Sequence, residues 1–434
     1  MLIKRLFTKG KKVAAFTLTT AIAMQGSIFA TAKDYDRANS EMPYAGEWLT
    51  QDGVYTYPVT PENQEWAGMD YVEQVQACNM PQELVNSLST DELVQVALDY
   101  PLMLDCMLFD SYERGVEHLA LTSNVYRELL EREDVAETLI SAYLNLNVDY
   151  DLLAAGGLTR NPFAESDYDK EIMLQSLLSS EVIFNALDEV QTEKLVEILG
   201  DKYEDKLGKC DDYKTALIFY EVLSEKAGYI VEDLIPESVL LENSAGTPRY
   251  STGFTMTNST PQYFGYPGAY YYEGVFSLYD VANPPICYLY SSGNYTAAEA
   301  DAVDASIASA HPGWICLSTA SKKYNCHSYC WINKSYNNVY WLNDPQVFAS
   351  SSSFSNTGAN TSISSSDAYI IIYDAYGPAH SVRSTTKSSG SNTTSYMTTT
   401  TVVSKLGSSG VYRTSLYDMY NLYDGKYYIS YNKK

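Results

Sequence analysis

Ser321-Lys322-Lys323-Tyr324-Asn325-Cys326-His327-Ser328-Tyr329-Cys330-Trp331 reads as a polar turn running into the first turn of a helix. Asn325 is a good N-cap, because its side-chain oxygen can accept from a backbone N–H that a helix start leaves unpaired. A cysteine just inside that cap faces the remaining unpaired N–H groups and the positive end of the helix dipole. Both favour thiolate over thiol, and the thiolate is the form that attacks carbonyl carbon.

Further along the chain, Asp367-Ala368-Tyr369-Ile370-Ile371-Ile372-Tyr373-Asp374 has the β-branched and aromatic content of a strand. Asp374-Ala375-Tyr376-Gly377-Pro378 is turn chemistry, and Ala379-His380-Ser381-Val382-Arg383 begins a returning strand. The hairpin carries His380, one of four histidines in the chain. A cysteine at a helix start and a histidine on a later strand are the two groups that thiol-based nucleophilic catalysis requires.

The N-terminus places Lys4, Arg5, Lys9, Lys11 and Lys12 before a largely apolar run, Val13 to Ala32. Ala30-Thr31-Ala32 supplies the small residues a signal peptidase needs, so residues 1–32 read as a cleaved signal peptide and the mature protein as exported, with an uncleaved anchor as the alternative. No second stretch is apolar and long enough to span a bilayer, so no stable membrane insertion is expected after cleavage. The net charge of −25 argues against a nucleic-acid partner, since phosphate backbones attract basic surfaces. Seven cysteines in an oxidising compartment leave at least one free or bonded to another chain. Cys78 with Cys106, and Cys287 with Cys316, are conceivable disulfides.

Residues 33–64 read as an extended segment broken by Pro43, Pro58 and Pro61. Residues 65–235 read as all-α. Ser89-Thr90-Asp91-Glu92 is a capping box opening a helical run, and similar patterns recur through Val125–Leu130, Ala136–Ile140 and Ile172–Ala186. Thr90-Asp91-Glu92-Leu93-Val94-Gln95-Val96 is echoed by Thr192-Glu193-Lys194-Leu195-Val196-Glu197-Ile198, which hints at a solenoid-like stack. His118 stands alone there and reads as structural. This region reads as a scaffold or docking surface for an unknown protein partner. After Ile235-Pro236 the composition turns to Tyr, Ser, Thr and Gly, so residues 236–294 read as a β-rich connecting segment. Thr296 and Glu299 cap an Ala-rich helix to Ala310, and Ser350–Ser366 and Ser384–Thr400 read as long loops.

From Tyr295 to Tyr428 the chain resembles a group of exported Gram-positive bacterial proteins related to the papain-like cell-wall hydrolases, the NlpC-type endopeptidases and the CHAP amidases. The residues that carry it are Tyr324-Asn325-Cys326-His327-Ser328-Tyr329 with Trp331, Trp341-Leu342-Asn343-Asp344-Pro345, and Ala379-His380-Ser381-Val382. The helical half is similar, more loosely, to regions preceding such domains in gut Firmicutes proteins. The resemblance implies a nucleophile at Cys326 and a base at His380. Cys330 stands where a small residue such as alanine is usual, and Leu406 where tryptophan is expected. By position, the strand after the histidine hairpin should supply the histidine-orienting residue, which makes Ser404 the candidate and Asp344 the runner-up.

The expected fold class is therefore α+β, with an N-terminal all-α, solenoid-like domain followed by a papain-like α+β domain over residues 295–434. The expected activity is secreted or cell-wall-associated amide hydrolysis without cofactor or metal, on peptidoglycan stem peptides or a peptide. His327 is an alternative base, although neighbours on a helix point in different directions. Cys330 reads as a buried small residue, as free cysteine often is; a zinc site of Cys326, His327 and Cys330 is an alternative, though it lacks an evident fourth ligand. Tyr324 is a candidate hydroxyl donor. The competing reading is a non-catalytic exported binding protein, with Cys326 disulfide-bonded to Cys330 or vestigial.

Overall fold

The structure, a computed structural model, describes residues 48–51, 54–155, 162–206, 209, 223, 226, 227, 253–263 and 269–434. The signal peptide, most of the extended segment, Cys210 and the composition boundary at 235–236 lie outside the described residues. Among the described residues, no helix is long and apolar enough to cross a membrane. The chain is α+β: helices dominate up to residue 206, and antiparallel sheets dominate from residue 254.

Capping chemistry starts the helices where the side chains allow it. Asp70 and Glu73 form a reciprocal box at the head of Tyr71–Ala77, and Ser89 with Glu92 does the same for Thr90–Leu98. In Thr90–Leu98 the buried face is Leu93, Val94, Val96 and Ala97, which packs against Asn124–Glu131 and Val135–Asn145. His118, in Tyr112–Thr122, is a buried core histidine: its Nε2 meets the Tyr71 hydroxyl at 2.7 Å and its ring packs on Phe109. Burial pushes its pKa down to about 4, so it sits neutral in the core.

The C-terminal region holds two sheets. Seven antiparallel strands run in the order Ile315–Ser318, Val411–Ser415, Thr401–Lys405, Pro378–Ser384, Tyr369–Tyr373, Tyr427–Lys433, Phe354–Ala359. The expected hairpin is present, with Ile370 opposite Val382 and Ile372 opposite His380. Alternation divides the sheet between two cores. Ile370, Ile372, Val382 and Val402 join the core that also contains the helices of the N-terminal half. Tyr369, Ile371, Tyr373 and Val403 pack with Trp331 and Cys330 of the Cys326–Trp331 helix. The second sheet, built on Tyr270–Phe276 and Ile286–Ser292, reaches Tyr340–Leu342 at its edge.

Two expectations differ from the structure. Ser350–Ser366 contains the strand Phe354–Ala359, because Phe354 is buried and the segment pairs with Tyr427–Lys433; Ser384–Thr400 contains the helix Thr393–Thr399, capped by Asn392. Serine-rich composition hid both. The proposed disulfides are also absent: Cys78, Cys106 and Cys287 are buried free thiols, and Cys316 is an exposed one.

The two halves share buried polar contacts. Ala310 ends the Ala297–Ala310 helix, and its carbonyl accepts from Trp66 Nε1 at 2.7 Å and Gln74 Nε2 at 3.1 Å. His311, its C-cap, meets Asp105 Oδ1 at 2.7 Å and stacks on Trp314. Trp66 is completely buried, so Trp66→Ala should destabilise the protein by about 3–5 kcal/mol. Because that core is continuous, urea unfolding followed by far-UV and near-UV circular dichroism should give coincident curves, both shifted by Trp66→Ala. Two separated transitions, with only one moved by the substitution, would mean that the halves fold independently.

Candidate active site

The Cys326–Trp331 helix starts where the sequence places it. Asn325 is extended (φ −110°, ψ 179°), and its Oδ1 accepts the Ser328 N–H at 3.1 Å. The same oxygen accepts the Leu342 N–H at 3.2 Å, while Nδ2 donates to the Leu342 carbonyl at 2.8 Å and to Asp110 Oδ2 at 2.9 Å. All four bonds available to a buried amide are therefore made. They tie the helix start to the edge strand Tyr340–Leu342 and to a carboxylate from the helical half. The helix lies on the His380 strand, where Ser381 Oγ meets His327 Nδ1 at 2.7 Å and accepts from Trp331 Nε1 at 3.2 Å.

His380 and Ser404 are on neighbouring strands, and His380 Nε2 lies 2.7 Å from Ser404 Oγ. The Ser404 hydroxyl has a single proton and two carbonyl acceptors, Ser381 at 2.8 Å and Lys405 at 3.1 Å. Carbonyls cannot donate, so the hydroxyl proton goes to them and Ser404 Oγ accepts from Nε2–H. Nδ1 then carries the imidazole lone pair. The ring is held flat against Tyr423, centroids 3.8 Å apart and planes 9° apart.

Cys326 sits where these strands part. Their ladder consists of Arg383 opposite Val403 and Ser384 opposite Val402. Beyond it, the Ser381 N–H donates to the Cys326 sulfur and the Ser381 carbonyl is taken by Ser404. The sulfur, His380 and Ser404 are thus arranged around one backbone residue, Ser381. No hydrogen bond joins Cys326 to His380.

Burial governs the charges. It pushes the Cys326 thiol well above its ordinary range, and the nearby Asp110 carboxylate adds to that, against smaller opposing effects of the Ser381 N–H and Lys405. Burial, with His327 and Lys405 nearby, holds His380 well below its ordinary range. At neutral pH the site therefore holds a thiol and a neutral imidazole. Lys405 is brought down to about 7 by burial, partly offset by Asp110, Cys326 and Asp304, and its Nζ donates to the Gly407 and Ser409 carbonyls at 2.5 and 2.7 Å. Asp110 is raised to about 6 by burial, with Asn325, Lys405 and Arg114 opposing.

The other candidates separate clearly. Asp344 Oδ1 accepts the Gln346 N–H at 3.0 Å, which makes it a turn residue. Tyr324 is buried with its ring 5.2 Å from Lys405 Nζ; its hydroxyl lacks a well-formed hydrogen bond, and Ser318 is its polar neighbour. Cys330 is a buried free thiol, raised to about 12 by burial. The metal-type grouping that does occur uses Asp110 in place of Cys330: one ligand atom each of Asp110, Cys326 and His327 lie within 4.8 Å of one another. His327 fits a metal poorly, because Ser381 engages Nδ1 and the Pro378 carbonyl accepts from the ring, which burial lowers to about 3. Asp110, Tyr423, Ser381 and Lys405 escaped the sequence reading as site residues, although Ser381 lies within Ala379-His380-Ser381-Val382, which carries the resemblance, and Lys405 follows Ser404 directly.

No protein-family model, curated protein or solved structure matches the chain.

Because Asn325→Ala would strand the Asp110 carboxylate and the Leu342 backbone groups, it should cost about 2–4 kcal/mol of stability in urea denaturation. A loss below about 0.5 kcal/mol would show that the amide is not what holds the helix start.

Proposed function

We propose that the chain is an exported, papain-like cysteine hydrolase that cleaves amide bonds, with Cys326 as nucleophile, His380 as base and Ser404 as the residue that orients the base. The observation that carries this reading is the Ser404–His380 hydrogen bond beside Cys326, which leaves Nδ1 as the basic nitrogen. An antiparallel sheet bearing histidine and its partner, packed against a helix that begins at cysteine, supports the papain-like arrangement. The helical region would be the solenoid-like scaffold.

His380 Nδ1 takes the Cys326 proton as sulfur attacks the amide carbonyl carbon, so that proton transfer accompanies attack instead of preceding it. The oxyanion is stabilised by the Cys326 backbone N–H, one of the orphan groups of the helix start, and by the Tyr324 hydroxyl. The tetrahedral species expels the amine, which receives the proton from His380, and leaves a thioester. Water, deprotonated by His380, then releases the acid and restores the thiol. Peptidoglycan stem peptides or a peptide are the proposed substrates, outside the cell or at its wall.

The test is alkylation of Cys326 by iodoacetamide between pH 6 and 9, read by peptide mass spectrometry in wild type and His380→Ala. Cys316, exposed in the same chain, supplies the reference rate. Below the ordinary thiol pKa of about 8.5, the rate relative to Cys316 should fall at least ~10-fold in His380→Ala and by less in Ser404→Ala. Superimposable profiles would remove His380 from the mechanism. On any amide substrate found, Cys326→Ala should abolish turnover, and residual cleavage would remove the nucleophile.

A further inference from the structure

Cys326 and His380 are each only 1 % exposed, so an amide carbonyl has no path to the sulfur in the structure as it stands. What covers them comes from the helical half. Residues 107–110 comprise the last two residues of the 3-10 helix Met103–Leu108 and the two that follow it, and run across the loop that joins the Ser404 strand to its neighbour. The Met107 carbonyl accepts from the Ser408 N–H at 3.1 Å and from Ser408 Oγ at 3.2 Å. The Leu108 carbonyl accepts from the Tyr423 hydroxyl at 2.5 Å. Phe109 packs on the Tyr423 ring, whose own ring stacks on His380. Asp110 accepts from Asn325, the cap of the cysteine helix, and its carboxylate lies against the thiol. Just beyond, Arg114 pairs with Asp374 at 2.6 Å, on the turn of the His380 hairpin.

Gly407 shows how closely the segment is fitted. It sits at φ +41°, where glycine is favoured, and a Cβ there would overlap the Phe109 carbonyl and the Leu108 backbone. Besides its packing on His118 and the helical core, the segment thus touches groups next to each candidate catalytic residue: Ser408 in the loop after Ser404, Tyr423 on His380, Asn325 ahead of Cys326. The carboxylate beside the sulfur also opposes thiolate formation.

We propose that residues 107–110 form an autoinhibitory strap that keeps the Cys326 site closed in the intact chain, and that the site is reached only when this segment lifts away. The inference rests on the reading of Cys326 as a nucleophile. It makes the helical half a regulator as well as a scaffold, and it makes the full chain latent.

Thiol labelling of the full chain tests it. In wild type, Cys326 should react with iodoacetamide at least ~100-fold more slowly than Cys316, because it reacts only through local opening. Tyr423→Phe removes one strap bond while keeping the ring on His380, and should speed Cys326 labelling about fivefold. Gly407→Ala pushes the strap from below and should speed it at least ~10-fold. Cys78 and Cys287, buried in the helical half and the smaller sheet, should stay unlabelled and so report an intact fold. Wild-type labelling of Cys326 at the Cys316 rate would overturn the proposal, as would unchanged rates in Tyr423→Phe; that conservative variant decides the matter if Gly407→Ala unfolds. Acceleration that does not depend on His380 would keep the strap and remove the catalytic reading. His380 dependence without acceleration would do the reverse.

Discussion

One buried amide joins the parts of this molecule that matter for its chemistry. Asn325 must make four hydrogen bonds or leave polar atoms stranded in the interior, at a cost of about 1–3 kcal/mol for each unsatisfied group. Its four partners lie on three different pieces of chain: the helix start at Ser328, the edge strand at Leu342 and the helical half at Asp110. Such a network is satisfied in one arrangement only, so it fixes the cysteine helix in position and direction. The position of Cys326 follows from it, because the sulfur is the first side chain after the cap.

A second constraint acts through the sheet. The strands of His380 and Ser404 part after two paired positions, which frees the N–H and C=O of Ser381. Buried backbone groups must find partners. The N–H goes to the Cys326 sulfur and the carbonyl to the Ser404 hydroxyl. That second bond commits the serine proton and therefore sets which nitrogen of His380 is basic. The tautomer of the imidazole is thus decided by where a strand ladder stops.

Much of this was legible in the sequence because it is local. Asn325 as cap, Cys326 as the first helical residue, the Tyr369–Tyr373 and Pro378–Ser384 hairpin, and the capping boxes at Ser89 and Thr296 each depend on residues within a few positions. Ser404 was placed by resemblance, and the structure sets it beside His380. Asp110 and Tyr423 were not legible. Each reaches the site through tertiary packing, Asp110 across more than two hundred positions to Asn325, and nothing in its own neighbourhood marks it. The strand Phe354–Ala359 was lost for a related reason: its pairing with Tyr427–Lys433 depends on residues far along the chain, while its own serines and threonines look like loop. Cys330 lies in the core as a buried free thiol, as its reading as a buried small residue expects, and neither the disulfide with Cys326 nor the metal-ligand alternative is formed.

The neutral state of the site and its closure are one thermodynamic fact. Burying a thiolate and an imidazolium together requires desolvation of two charges, whereas a thiol and a neutral imidazole can be covered at far smaller cost. With the strap down, burial and Asp110 hold Cys326 as the thiol, and burial with His327 and Lys405 nearby holds His380 neutral. With the strap lifted, water and substrate replace the covering side chains, the carboxylate leaves the sulfur, and proton transfer to His380 becomes less unfavourable. Any substrate that binds the open form must also supply the free energy of opening, so its apparent affinity is reduced by the fraction of open molecules. On the proposed reading, contacts on Tyr423, Ser408 and Asn325 would therefore set both the reactivity of the thiol and the affinity for substrate, although none of the three exchanges a proton with it.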